Sequence, residues 1–237
     1  MGSRSILLSE FALLVIFVKK YNPMKKNFLL GVVVMSALMV SACGSGEETK
    51  SVGVDNETIQ TIMQRKSVRA FTDQAIPAEY MEAMLKAAMA APTGSNIQPW
   101  HFVVLTDKSQ YERVFENNFN MRIFNSAAAV VVFCADTTVT RPPRDNPDGA
   151  PVTRPNGTWR DDMGACTENF LLAAESLGLG AVWTAAYPYS DRYASMKREL
   201  GMPDSVLPYC AVAVGYPAND EQPKDKWKPE RIHYGQW

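Results

Sequence analysis

The run Ala91-Pro92-Thr93-Gly94-Ser95-Asn96-Ile97-Gln98-Pro99-Trp100 (APTGSNIQPW) sets the reading of the chain. Pro92 and Gly94 stop whatever helix precedes them, and an apolar stretch follows Trp100, so the run joins a helix to a strand. Within it, small polar residues, the amides of Asn96 and Gln98 and a turn's backbone N–H groups gather hydrogen-bond donors in a small space. Such a cluster suits the edge of a flat polar ring, and it equally suits an ordinary helix-to-strand turn.

Upstream, Pro77 stands at the first-turn position of a helix expected over residues 78–90, and residues 58–66 have helical character of their own. Downstream, residues 101–105 suit a short strand. Residues 127–135 (AAAVVVFCA) form an unbroken apolar run of strand length, which predicts a strand covered on both faces. Residues 137–158 hold Pro142, Pro143, Pro147, Pro151 and Pro155 with two glycines, and are expected to be a long loop acting as a lid. Residues 161–177 carry Met163, Cys166, Phe170, Leu171, Ala174 and Leu177 at helical spacing, and Gly178 and Gly180 end that helix. Strands are expected at 181–184 and 209–214, with a helix over 191–200 between them. The polar tail from Pro217 ends in Tyr234 and Trp237, as a segment packing on another subunit would.

Composition narrows the function classes. The 237 residues are 46% hydrophobic and 21% charged, an ordinary globular usage that fits one catalytic domain with a targeting segment. Without Arg4, Lys19, Lys20, Lys25, Lys26 and Glu10, all before Cys43, the remainder has 19 bases against 24 acids, a net charge of -5. A mildly acidic body argues against nucleic acid as a partner, since that affinity needs clustered cations. Cys43, Cys134, Cys166 and Cys210 show no CxxC spacing and no His/Cys cluster, so no metal site is expected, and the last three read as small buried hydrophobes. Gly178-Leu179-Gly180 is a fragment of GxGxxG that follows a helix, which does not support a dinucleotide fold. The two histidines, His101 and His233, form no nucleophile triad with chance excluded.

The N-terminus reads as an address. Lys25 and Lys26 precede an apolar stretch over residues 28–40, and Val40-Ser41-Ala42-Cys43 has the form of a bacterial lipoprotein cleavage site. The expectation is a signal over residues 1–42, lipidation at Cys43, a polar tether over 43–56 and a catalytic domain over 57–237. This places the protein in the bacterial cell envelope, held to the membrane by a lipid anchor. Met24 begins a complete signal by itself; a misassigned start would leave the enzyme cytoplasmic.

A second constellation, Arg65-Lys66-Ser67-Val68-Arg69, puts three cations and a hydroxyl within five residues, able to meet a phosphate or to lie as a solvated helix end. Joined to APTGSNIQPWHF, to VVVFCAD at residues 130–136, ENFLLAAESLGLGAVW at 168–183, VGYP at 214–217 and the closing ERIHYGQW, it resembles the FMN-dependent nitroreductase family.

The resemblance implies an α+β nitroreductase-like fold, a central mixed sheet flanked by helices, in an intertwined homodimer. It implies FMN as cofactor and no catalytic side chain, because the flavin carries the electrons. Arg65, Lys66, Ser67 and Arg69 match the family's N-terminal flavin motif, with Arg65 contacting phosphate or ribityl. Pro92, Thr93, Gly94 and Asn96 match the segment that reaches the flavin from the partner subunit. Asn120 falls where relatives place an Asn near the pyrimidine ring, and Ala185 and Ala186 where a backbone N–H faces flavin N5. Lys224 and Lys226 match a late Lys-x-Arg pair on the phosphate, with Lys in place of Arg reducing the scope for bidentate contact. The implied reaction carries electrons from NAD(P)H to a nitro compound, quinone or other small-molecule acceptor. In the envelope, where NAD(P)H is scarce, an envelope reductant is the expected donor. Two other readings share these motifs: an exported flavin carrier without turnover, and a relative catalysing reductive dehalogenation or flavin breakdown.

Overall fold

A side-chain cap opens the first helix: Asn56 Oδ1 accepts the backbone N–H groups of Thr58 and Ile59 at 3.1 and 3.2 Å, and α1 (Glu57–Gln64) starts there. Pro77 caps α2 (Ala78–Met89), where its missing N–H costs nothing. The protein is described by a computed structural model over residues 54–116, 118 and 120–237. The segments read as signal and lipidation site, and most of the tether, lie outside the described residues.

The chain continues through β1 (Trp100–Leu105), two short helices, α3 (Tyr111–Val114) and α4 (Met121–Ser126), and β2 (Ala129–Asp136). Then come β3 (Thr138–Arg141), β4 (Val152–Pro155), the long helix α5 (Trp159–Ser176), β5 (Gly180–Ala185), α6 (Ser190–Glu199) and β6 (Val206–Gly215). Four strands form one sheet in the order β1-β2-β6-β5, antiparallel throughout. The parallel component of the expected mixed sheet is the isolated bridge from Ser67 to Ala181.

The apolar run of β2 is explained by its central position. Val131, Phe133 and Ala135 face one side, into a core shared with Met84 and Ala88 of α2 and Met163, Phe170 and Ala174 of α5. Val130, Val132 and Cys134 face the other, against Tyr111, Phe115, Phe124 and Met196. Phe133 meets Phe102 and Phe170 edge to face at 5.1 and 5.3 Å, tying β1, β2 and α5 together.

Residues 137–158 are not the structureless loop that their prolines suggest. β3 and β4 pair as a separate two-stranded ribbon, from Thr138 opposite Pro155 to Arg141 opposite Val152. Four of the five prolines lie in the connection between these strands and Pro155 at the far end, positions where a ladder survives without their N–H groups.

Cys134, Cys166 and Cys210 are free and buried. Burial pushes the thiols of Cys134 and Cys166 up to about 12 and that of Cys210 well above the ordinary range. At pH 8 these three positions should therefore resist iodoacetamide in the native protein and all react in denaturant, as mapped by peptide mass spectrometry. Native labelling of any one would contradict the packing just described.

Candidate functional site

Residues 65–69 leave α1 in extended form and dock on the edge of the sheet. Val68 N–H donates to Ala181 O at 3.1 Å, and its side chain is buried. A Cβ at residue 180 would lie 2.6 Å from the Val68 side chain, so glycine is required there for the two strands to approach. With Val68 turned inward, Arg69 is exposed, its Nη1 donating to Ser67 O at 3.1 Å. The half-buried Ser67 hydroxyl has no hydrogen-bond partner among the described residues.

The other two cations of the motif are held by α5. Arg65 Nε lies 2.8 Å from Glu168 Oε1, and Lys66 Nζ donates to Glu175 Oε1 at 2.9 Å. Glu168 and Glu175 are two helical turns apart on one face, which fixes the spacing of their partners. The Arg65 pair is an ion pair by distance, but its N–H is not directed at the carboxylate: Nε is buried and makes no hydrogen bond. Arg65 thus keeps donor capacity beside an acid, whereas Lys66 is committed to its partner.

The second motif owes its shape to a buried carboxylate that sequence reasoning missed. Asp162, 4% exposed, accepts the N–H of Gly94 at 2.8 Å and the hydroxyl of Thr158 at 3.1 Å. A side chain on Gly94 would collide with Thr158. Beyond it Ser95, Asn96 and Gln98 have φ of 54°, 53° and 53°, left-handed backbone that costs non-glycine residues on the order of 1 kcal/mol each. Thr93 Oγ1 accepts Gln98 N–H at 3.2 Å, and Asn96 Oδ1 accepts Gln98 Nε2 at 2.9 Å. Pro92 and Asn96 are exposed and Thr93 half-buried, so the segment is a strained, pinned knuckle open to solvent.

The remaining expected residues divide. Ala185 ends β5 and Ala186 follows it, but Ala186 N–H is already donated to Tyr209 O at 3.1 Å, so it is not free for a flavin in this arrangement. Ala185 O accepts Arg192 Nη1 at 3.2 Å. Asn120 caps α4, and its N–H donates to Asn118 Oδ1 at 2.9 Å. Asn118 is 4% exposed and its Nδ2 has no partner, which makes it a stronger donor candidate than Asn120. Lys224 and Lys226 lie exposed in the segment after Asp220.

Near the end of β5 lies an aromatic cluster that sequence reasoning also missed. Trp159 meets Tyr187 at 4.9 Å and Tyr209 at 6.0 Å, and Trp183 meets Tyr209 at 5.3 Å. Trp159 and Tyr187, with Thr138, Asn156 and Arg160, line a cavity of about 460 Å³, within the size range of small-molecule sites. Burial raises the Tyr209 hydroxyl above its ordinary range, so it stays protonated at neutral pH. Among the described residues no group of His, Cys, Asp and Glu could hold a metal ion.

Comparison with known proteins gives a consistent result. The model of the Nitroreductase family matches residues 62–216. A protein of Archaeoglobus fulgidus with a provisional NADH dehydrogenase/NAD(P)H nitroreductase name is 36% identical over 185 residues, covering 76% of this chain and 99% of that protein. A solved structure from Bacteroides thetaiotaomicron, provisionally named in the same way, superposes with a TM-score of 0.68 at 36% identity, covering 77% of this chain and 99% of the other. The NADPH:FMN oxidoreductase of Vibrio harveyi, solved with NAD+, gives 0.65 at 28% identity, covering 77% and 78%.

Proposed function

The chain belongs to the nitroreductase family, and on that footing we propose that it reduces small acceptors such as nitroaromatics and quinones, as a homodimer that shares each flavin between subunits. It is an FMN-dependent oxidoreductase of the NAD(P)H nitroreductase type. The observation that carries the proposal is the donor set beside β5: the unpartnered Ser67 hydroxyl and buried Arg65 Nε, with Arg69 exposed next to them. These donors keep hydrogen-bonding capacity that a phosphate oxygen or flavin carbonyl would take up.

Bound FMN would supply the two-electron redox chemistry between NAD(P)H and the acceptor. The protein's part is to bind and orient. Arg65 and Arg69 would offset negative charge, Ser67 would donate a hydrogen bond, and the knuckle at Pro92, Thr93, Gly94 and Asn96 would meet the flavin of the other subunit. Trp159 and Tyr187 give a flat acceptor an aromatic wall. The buried thiols stay protonated and take no part.

The purified protein should be yellow and should turn over nitrofurazone with NAD(P)H; a colourless dimer that takes up no FMN would reject the proposal. Arg65→Ala should lose FMN affinity on the order of tenfold to a hundredfold, the value of a charge-assisted contact. Glu168→Gln removes only the acid and should retain FMN. Equal early melting of both variants with FMN retained would assign Arg65 to the ion pair alone.

We also propose that Cys43 is lipidated and holds the enzyme at the cell envelope, where an envelope reductant serves as donor. The support is the residue pattern before Cys43; among the described residues no helix is long and apolar enough to cross a membrane. Fractionation should find wild type with membranes and Cys43→Ala released. Wild type in the cytosol would favour a start beyond the signal and reject the anchor.

A further inference from the structure

The β3–β4 ribbon gathers basic residues that are far apart in sequence. Arg141 pairs with Val152 and Arg154 with Val139, so the two arginines are diagonal neighbours on one face. Thr140 and Thr153 occupy the opposite face, their hydroxyls 2.6 Å apart. The basic face stands over the knuckle and leaves a cavity of about 190 Å³ lined by Gly94, Ser95, Arg141, Arg144, Arg154 and Asn156, among others.

Its guanidiniums lack acidic partners. None of the three guanidiniums forms an ion pair among the described residues, including with Asp145 and Asp148 of the connecting turn, which are exposed. Arg144 Nη2 donates to Ser95 Oγ at 3.0 Å. Asp162, the acid bonded to this wall, is occupied by Gly94 and Thr158. Arg141 Nε is buried without a hydrogen bond. Asn156 is 3% exposed: its Oδ1 accepts the N–H of Thr158 at 3.1 Å and shares the one Thr158 hydroxyl hydrogen with Asp162, while its Nδ2 is buried without a partner. Unpaired guanidiniums together with an unpartnered amide N–H are the donors that an oxyanion satisfies.

We propose that this cavity is an anion subsite, taking one carboxylate- or phosphate-sized group of a molecule that enters the active site. Its volume is below the roughly 300–1,000 Å³ of pockets for whole small ligands, which suits an end group with the rest of the molecule outside. Placement beside the knuckle gives the subsite a role in selecting donor or acceptor, and that role rests on the proposed flavin site. Anion binding itself does not. Two sources share the chemistry: a carboxylate on the acceptor and a phosphate on the nucleotide donor.

The test uses the full protein in two arms. Without turnover, benzoate and inorganic phosphate are titrated against intrinsic tryptophan fluorescence. With turnover, kcat/KM is compared for 4-nitrobenzoate against 4-nitrobenzamide, and for NADPH against NADH. Saturable anion binding is expected in wild type, weakened on the order of tenfold to a hundredfold in Arg141→Gln/Arg154→Gln. Asn156→Asp keeps the Oδ acceptor for Thr158 and adds a resident carboxylate, so it should weaken anion binding similarly while retaining the native circular dichroism. Collapse of the nitrobenzoate preference assigns the acceptor; collapse of the NADPH preference assigns the donor phosphate. Anion binding unchanged in both folded variants, or absent from wild type, overturns the subsite. Loss of turnover with anion binding intact would count against the flavin reading alone.

Discussion

Asp162→Ala is expected to lower the melting temperature by about 6–12 °C and to weaken FMN binding by more than tenfold. The first figure follows from two hydrogen bonds to a buried carboxylate, worth together about 3 kcal/mol, in a domain where each kcal/mol moves the midpoint by about 2–4 °C. The second follows from what those bonds hold. Gly94 N–H and Thr158 Oγ1 both end on Asp162, so its loss frees the knuckle from α5 and lets Ser95, Asn96 and Gln98 relax from left-handed backbone. Asp162→Asn retains an acceptor for Gly94 and should recover part of both losses. Thermal melts with and without FMN, and a fluorometric FMN titration, would decide it. A variant that melts early yet binds FMN as wild type does would show that the knuckle needs no anchor.

Deletion of residues 220–237 should convert a dimer into a monomer and abolish FMN retention through gel filtration. In the single chain this segment is exposed almost throughout, with Trp227 at 66%, Tyr234 at 89% and Trp237 fully accessible. Large aromatic side chains left in water are a loss that a second subunit reverses, each contributing about 1.5–3 kcal/mol when buried. Lys224 and Lys226 go with the segment, removing two cations expected near the phosphate. The remainder keeps the whole sheet and both core clusters, so its circular dichroism should stay native. Sedimentation equilibrium gives the mass; an unchanged dimer that holds FMN would free the tail from both roles.

Those elements whose signal is local were legible in the sequence. β2 was readable as a buried strand because nothing polar interrupts it before Asp136, and α5 because its apolar stripe persists over four turns. The ribbon was not, since four-residue strands carry too little alternation to outweigh five prolines. The site was legible as motifs but not as a network. Glu168 and Glu175, which hold Arg65 and Lys66, lie about a hundred residues from them, and no local pattern announces such a pairing. Asp162 offered one weak signal, an acid in the first turn of a long helix. Asn118 offered none: what marks it is a buried Nδ2 without an acceptor, a property of packing alone. A backbone N–H at Ala185 or Ala186 was assigned to the flavin by position, and only the fold shows that of Ala186 donated to Tyr209.

The bridge from Ser67 to Ala181 has a practical consequence. β5 is the last strand of the sheet, and residues 67 and 68 are what covers its outer edge. The stretch proposed to hold the cofactor is therefore also a guard against strand-to-strand aggregation. A variant that loosens this stretch would expose backbone beside Ala181, Val182 and Trp183 to other copies of the chain. Loss of function at positions 65–69 should then reach the bench as low soluble yield and inclusion bodies before it is seen as pale protein. Screens that score colour in clarified lysate would confuse the two, and quantifying the pellet is the control that separates them.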